Sequence, residues 1–276
     1  MYIERNTTPF LRWAGGKRWL VKYFDELLNK HIFNNYHEPF LGGAAIFFSV
    51  HHNQAIYLSD INEELINTYS VVKSSPQEVI EKLLGYENTE KEYYRIRAER
   101  FKDKIDRAAQ FIYLNQMSYN GLYRVNKDGI YNVPYGFRKD YRIEPQKILT
   151  ASLALQKADV KYGDFTINKK LIKKDDLVFL DPPYTVSHNN NGFIEYNKKL
   201  FSLDDQKRLS EYIDFIKERG AYYVLTNAAH KVIIDIFGNK GDLFFEYERH
   251  SLIGGKNSER KLIKEFIFTN ISSGVK

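Results

Sequence analysis

The stretch HEPFLGGAAIFFSVHHNQAIYLSDINEELINTYSVV, residues 37–72, decides the fold. A short strand runs into Gly42 and Gly43, and a helical pattern follows. A second strand over 55–58 ends beside Asp60, and an amphipathic helix opens behind it. Strand, glycine loop, helix, strand and acid, in that order, open a doubly wound nucleotide-binding sheet. The glycine pair lets a backbone approach a bound nucleotide closely, and it serves a plain turn equally well. A carboxylate at Asp60 can accept hydrogen bonds from both hydroxyls of a ribose. The same residue also fits the N-cap of the helix beginning INEEL.

Further strands are expected from DVKYGDF (159–165), LVFLDPPY (177–184) and AYYVLTNA (221–228). The segment SLDDQKRLSEYIDFIKERG (202–220) reads as a helix running from a serine cap to Gly220. FFEYERHS and KEFIFTN form a terminal antiparallel pair of strands. The expected class is therefore α/β, a doubly wound Rossmann-like sheet.

Residues 70–150 differ in character and form an insert in that sheet. Between 89 and 150 there are 13 Lys and Arg against 8 Asp and Glu, a surplus of five in a chain whose net charge is +6. The insert is mainly helical at first (IDRAAQFIYLNQ, 105–116) and then carries YNGLYRVNKDGIYNVPYG, 119–136. Asp128-Gly129 between apolar-rich runs is a hairpin signal. Such an insert suits recognition of a polyanion, and on charge alone it suits a solvated helical subdomain as well.

The remaining composition bounds the problem. The 276 residues can bury a sizeable core. The chain has no cysteine, which excludes disulfides, zinc–thiolate sites and cysteine nucleophiles and fits a reducing compartment. The polar start MYIERNTTPF has no apolar signal region. No run reaches the roughly 18 apolar residues of a membrane span. The 21 tyrosines supply rings on which bases can stack.

Two motifs carry chemistry. In FLRWAGGKRWL (10–20), Trp13 and Lys17 flank two glycines. A ring and an ammonium beside a mobile backbone suit a ligand with an aromatic base and a carboxylate; a glycine turn under a packed tryptophan uses the same residues. The spacing is not that of a P-loop. In DPPY the apolar strand ends on Asp181, and Pro182 and Pro183 stop the sheet ladder. One carboxylate, one rigid carbonyl and the ring of Tyr184 are thus held on a stiff turn. Methylating an exocyclic amine of a purine suits that set, and a plain structural turn would use the same residues. The amine is a poor nucleophile until acceptors draw its lone pair out of conjugation, and the ring can stack on an extruded base.

Taken in order, FLRWAGGK, EPFLGG, LSDINEELI, YNGLYRVN…NVPYG, GDF, DPPY and RHSLIGGKNSERK resemble the Dam-type (D12 class) adenine-specific DNA methyltransferases over nearly the whole chain. The resemblance implies a Rossmann-like methyltransferase sheet formed by 1–69 and 151–276, with a target-recognition domain at 70–150. It implies S-adenosylmethionine as methyl donor, released as S-adenosylhomocysteine, and no metal. Trp13, Lys17, Phe40, Gly42, Asp60 and Phe165 match cofactor contacts. Asp181 matches the catalytic carboxylate that also faces the methionine moiety, Pro182 the carbonyl and Tyr184 the ring. Arg12, Tyr119, Asn120, Leu122, Arg124 and Pro134 match DNA contacts, Tyr119 as the wedge filling the stack that a flipped adenine leaves. The expected partner is double-stranded DNA, with or without a cognate restriction endonuclease acting separately. A monomer in the cytoplasm, of bacterial, archaeal or phage origin and with no membrane association, is expected.

Two departures bear on the target, GATC or a related GAT-containing site. Arg12 stands where such enzymes commonly carry lysine. The loop TVSHNNNGFIEYN after DPPY also differs from theirs. The rival readings are a methyltransferase of RNA adenine or of a protein amide, the latter expected to carry Asn at 181, and a non-catalytic DNA-binding regulator. The intact DPPY speaks against the last.

Overall fold

The computed structural model describes residues 7–28, 31–50, 54–138, 141–184, 201–250 and 262–272. The loop at 185–197 therefore lies outside the described residues, as does nearly all of RHSLIGGKNSERK. Seven strands form one sheet: β1 Tyr36–Glu38, β2 Ile56–Asp60, β3 Ala158–Tyr162, β4 Leu177–Leu180, β5 Tyr222–Ala228, β6 Leu243–His250 and β7 Leu262–Thr269. They lie in the order β3-β2-β1-β4-β5-β7-β6. β1 pairs in parallel with β2 (Tyr36↔Ile56) and with β4 (Tyr36↔Leu177), and β4 with β5 (Leu180↔Leu225). β7 runs antiparallel to both β5 and β6, the terminal pair expected from the sequence.

All four residues of β4 are buried, which is why it reads as an unbroken apolar run rather than an alternation. From β1 the chain proceeds outward through β2 to β3, then resumes on the other side of β1 with β4 and β5. The strand order thus reverses between β1 and β4, the place where open α/β sheets leave a ligand crevice at their C-terminal edge. Phe40 follows the end of β1 and Asp181 the end of β4.

Among the described residues the helices are α1 Arg18–Leu27, α2 Glu63–Ser74, α3 Pro76–Leu84, α4 Glu90–Ala98, α5 Lys104–Met117, α6 Pro145–Leu155, α7 Leu203–Glu218 and α8 Lys231–Phe237. The chain divides into two compact units. One comprises Met1–Lys22, Leu41–His51 and Ser59–Asp164; the other comprises Tyr23–Phe40, His52–Leu58 and Phe165–Lys276. In the second unit, Leu209, Tyr212, Ile213 and Ile216 mark one face of α7 at helical spacing. They share a core with Val178, Leu180, Tyr223, Leu225, Phe266 and Phe268 from the strands. Each such fully buried side chain contributes about 1.5–3 kcal/mol. Ser202 and Asp205 close a reciprocal capping box at the start of α7, and Gly220 turns the chain beyond its end at φ +69°. In the first unit α2 packs on α5 and α6, through buried residues that include Leu65, Tyr69, Ile112 and Ala151.

Two expectations need correction. The residues after Gly42 and Gly43 do not form an α-helix; Phe47–Ser49 make one 3₁₀ turn and Val50 is extended. Ala44 stands at φ +56°, outside the helical region, so no helix can run from the glycine pair through it; Ala44 to Phe48 are buried throughout. The reversal at Asp128-Gly129 exists, but it carries no ladder. A single antiparallel bridge joins Val125 to Tyr131. The Asn126 side chain accepts the N–H groups of Asp128 and Ile130, and two backbone bonds, Asn126 N–H to the Ile130 carbonyl and Gly129 N–H to the Asn126 carbonyl, close the turn with it. Among the described residues no helix is long and apolar enough to cross a membrane.

Candidate active site

The glycine loop and the tryptophan belong to one packed arrangement in the first unit. The Trp13 indole stacks 5.7 Å from Tyr123 and 6.4 Å from Phe111. A Cβ on Gly42 would lie 2.8 Å from Trp13 Nε1, and one on Gly43 2.7 Å from Trp13 Cβ. Gly42 also sits at φ +46°. The approach of the tryptophan thus demands both glycines, whatever else the loop does. Lys17 is 3% exposed, and its ammonium donates to the Gly15 carbonyl at 2.8 Å. Gly15 itself faces open space, since a Cβ there meets no atom within 4 Å.

Asp60 closes β2 and ties the glycine loop to the entrance of α2. Its carboxylate accepts the Gly42 N–H at 2.9 Å on one oxygen and the Asn62 N–H at 2.9 Å on the other. The helix cap falls to Asn62, whose side chain accepts the Leu65 N–H at 3.1 Å. Burial lifts the Asp60 carboxyl above its ordinary pKa, against the opposing pull of the N–H groups of Gly42, Asn62 and Ile61. A carboxylate keeps acceptor capacity beyond these bonds. The set of a buried ammonium, a packed indole and an acceptor carboxylate fits the carboxylate, base and ribose of S-adenosylmethionine.

In the second unit the DPPY turn is anchored at both ends. The β4–β5 register places Asp181 beside Thr226. The buried Thr226 hydroxyl donates to Asp181 Oδ1 at 2.8 Å. Tyr184 donates its hydroxyl to Glu265 Oε2 at 2.7 Å, and Glu265 is a 1% exposed acid on β7. Pro182 is buried between them in sequence, while Asp181 and Tyr184 are half-buried. Phe40 stacks on Phe165 at 5.4 Å. Phe165 is nearly buried, with Phe201, Tyr212 and the Arg208 guanidinium also against it. Of the two rings it is Phe40 that keeps exposure.

Reading from sequence missed Thr226 and Glu265. Each is a polar residue inside an apolar strand, LTNA and KEFIFTN, and that is the signal that marks them.

The expected DNA contacts converge in the first unit. The Tyr119 N–H donates to the Pro134 carbonyl at 2.9 Å, and the Leu122 N–H to the Tyr119 carbonyl at 3.2 Å. Tyr119, Asn120, Arg124 and Pro134 are exposed and Leu122 is half-buried. Asn120 stands at φ +54°, a left-handed position that Asn tolerates. Arg124 Nε donates to Asn132 Oδ1 at 2.8 Å, which fixes the plane of the guanidinium. Arg12 lies close over Gly121, where a Cβ would come within 2.5 Å of Arg12 Cβ. Asn115 brackets its backbone, accepting the Arg12 N–H at 2.8 Å and donating to its carbonyl at 2.6 Å. Burial and then the neighbouring Arg138 charge lower the Arg12 pKa.

A family model described as D12 class N6 adenine-specific DNA methyltransferase matches residues 13–250. The chain belongs to that class. Among curated relatives, the type II methyltransferase M.MjaIII of Methanocaldococcus jannaschii is 37% identical, over 83% of this chain and 86% of its own length. The type II methyltransferase M1.LlaDCHI of Lactococcus lactis is 33% identical, over 96% of each chain. The DNA adenine methylase of Escherichia coli is 32% identical, over 81% of each. This methyltransferase uses S-adenosylmethionine as methyl donor and transfers the methyl group to the N6 amine of adenine in DNA.

Proposed function

We propose that this methyltransferase acts on double-stranded DNA, within GATC or a longer site containing GAT, on an adenine flipped out of the helix. The observation that carries the reading is the double anchoring of DPPY: Thr226 on Asp181 and Glu265 on Tyr184. S-Adenosylmethionine, when bound, supplies an electrophilic methyl group on sulfonium. Trp13, Lys17, Phe40, Gly42, Asp60 and Phe165 serve as its contacts. Asp181, held in place by Thr226, accepts one adenine N–H, and the Pro182 carbonyl accepts the second N–H. Together they favour the amine geometry in which the nitrogen lone pair points at the methyl group. Tyr184, its hydroxyl tethered, offers its ring to the base. A strong base is unnecessary, because the proton leaves from a methylated ammonium that is already acidic. The protein works as a monomer, and residues 70–150 read the target.

In that segment Tyr119 fills the vacated stack, and Arg12, Asn120, Leu122, Arg124 and Pro134 contact bases. The preset Arg124 plane suits bidentate recognition of guanine, worth about 1–3 kcal/mol of discrimination. Arg124→Ala is expected to relax preference at one base pair while leaving affinity for unrelated DNA nearly unchanged. Methyl transfer to duplexes with each site position permuted tests this, and the pattern of accepted positions defines the site. A uniform loss across all sequences would make Arg124 a phosphate contact instead.

Asp60 adds a pH dependence. Protonation removes acceptor capacity, so cofactor affinity falls as pH drops through the Asp60 pKa. Burial raises that pKa, so the loss begins at a higher pH than for an ordinary carboxyl. Calorimetric titration of the cofactor across the acid range should show this decline, and Asp60→Asn should bind weakly with no decline over the same range. A wild-type affinity flat down to the ordinary carboxyl range would remove Asp60 from the site.

A further inference from the structure

The geometry points to Phe137 as a second aromatic contact to duplex DNA beside Tyr119, an inference that rests on reading 119–134 as the DNA-contacting segment. Phe137 is 62% exposed, the most exposed Phe, Tyr or Trp among the described residues. It also stands at φ +53°. A bulky residue with positive φ is a backbone outlier that persists only where its surroundings over-determine it. Those surroundings are plain. The Gly136 N–H donates to the Met117 carbonyl at 2.8 Å, and Ser118 bridges Tyr135. A Cβ on Gly136 would lie 2.5 Å from the Ser118 carbonyl oxygen, so the backbones meet too closely for any other residue. Residues 134–136, which lead directly into Phe137, are thereby pinned along 117–119, the segment that displays Tyr119 at 45% exposure and Asn120 at its own left-handed φ. The Phe137 ring meets the edge of Tyr135 at 4.9 Å.

Water and backbone both oppose this placement, yet the fold enforces it. The occupant that suits it is DNA. Phe137 follows the exposed Pro134 by three residues on the strip held against the Tyr119 segment, within residues 89–150, whose five-charge cationic surplus draws a polyanion. The chemistry recognised is the apolar part of a base pair, either a base face or a thymine methyl group.

Phe137→Gly and Phe137→Ala separate stability from binding. Gly at φ +53° relieves the backbone, so Phe137→Gly should melt at or above the wild-type temperature. Both variants should raise Kd for a duplex carrying the methylation site by about 5- to 150-fold, as expected for losing one base–aromatic contact. Replacing thymines by uracil one at a time distinguishes the two sources. Weakening at one position in the wild type but not in Phe137→Ala assigns the ring to a methyl group, and indifference assigns it to a base face. A Kd for Phe137→Gly within twofold of wild type overturns the inference, as does a fall in melting temperature. If Tyr119→Ala also leaves affinity unchanged, the reading of 119–134 fails; if Tyr119→Ala weakens binding, the failure is confined to Phe137.

Discussion

Asp181→Ala is expected to reduce methyl transfer by about 10²- to 10³-fold or more, on the scale of removing one fixed hydrogen-bond partner from a reacting group. The adenine amine would then meet one acceptor instead of two, and its lone pair would remain in conjugation with the ring. Binding to DNA should change little, because the residues proposed to read the duplex, Arg12 and those at 119–134, lie far away in sequence. Asp181→Asn should recover little of the loss. Thr226 donates to Oδ1, so an amide oriented by that bond turns its N–H₂ toward an amine that needs an acceptor. Single-turnover transfer to a labelled duplex, alongside a gel-shift affinity, measures both quantities. Robust turnover by Asp181→Ala would remove the acid from the chemistry.

Gly42→Ala should be the most damaging small substitution in the cofactor region. A residue with a Cβ at φ +46° costs about 1–2 kcal/mol in backbone strain. Overlap with the Trp13 ring, 2.8 Å from the new carbon, adds roughly 1–3 kcal/mol. At this chain length each kcal/mol corresponds to about 2–4 °C in Tm. The relief available is specific: Trp13→Ala removes the obstructing ring but not the strain. The double variant Trp13→Ala/Gly42→Ala should therefore lose clearly less stability than the two single variants combined. Strict additivity of the Tm changes would show that Gly42 and Trp13 are not packed as described. Cofactor affinity should fall in Gly42→Ala as well, since the Gly42 N–H is what holds one oxygen of Asp60.

Local signals made much of this legible in the sequence. The unbroken apolar run of β4, the proline pair that stops it and the Ser202 cap of α7 are written in neighbouring residues, and each appears where expected. The failures have a common origin in contacts between distant residues. In the sequence Asp60 fits a ribose acceptor and a helix cap equally well; the Gly42 N–H, eighteen positions upstream, engages its carboxylate, and the cap falls to Asn62. The glycine pair looks like a nucleotide loop or a turn until Trp13 is brought against it. The AAIFF segment reads as helical in the sequence, but Ala44 stands at φ +56°, a left-handed position that nothing in its own residue type announces. Thr226 and Glu265 belong to strands whose neighbours in space only the sheet order reveals.

That the chain is an adenine-specific DNA methyltransferase follows from its family; the target site and the role of DPPY are the central claims. Sequencing plasmid DNA recovered after expression in a methylation-free host, with base modifications read directly, tests both at once. The wild type should place N6-methyladenine at one short site containing GAT, and Asp181→Ala should leave the same plasmid unmodified. Equal modification by Asp181→Ala, or methylated adenines scattered without a common sequence, would contradict the account.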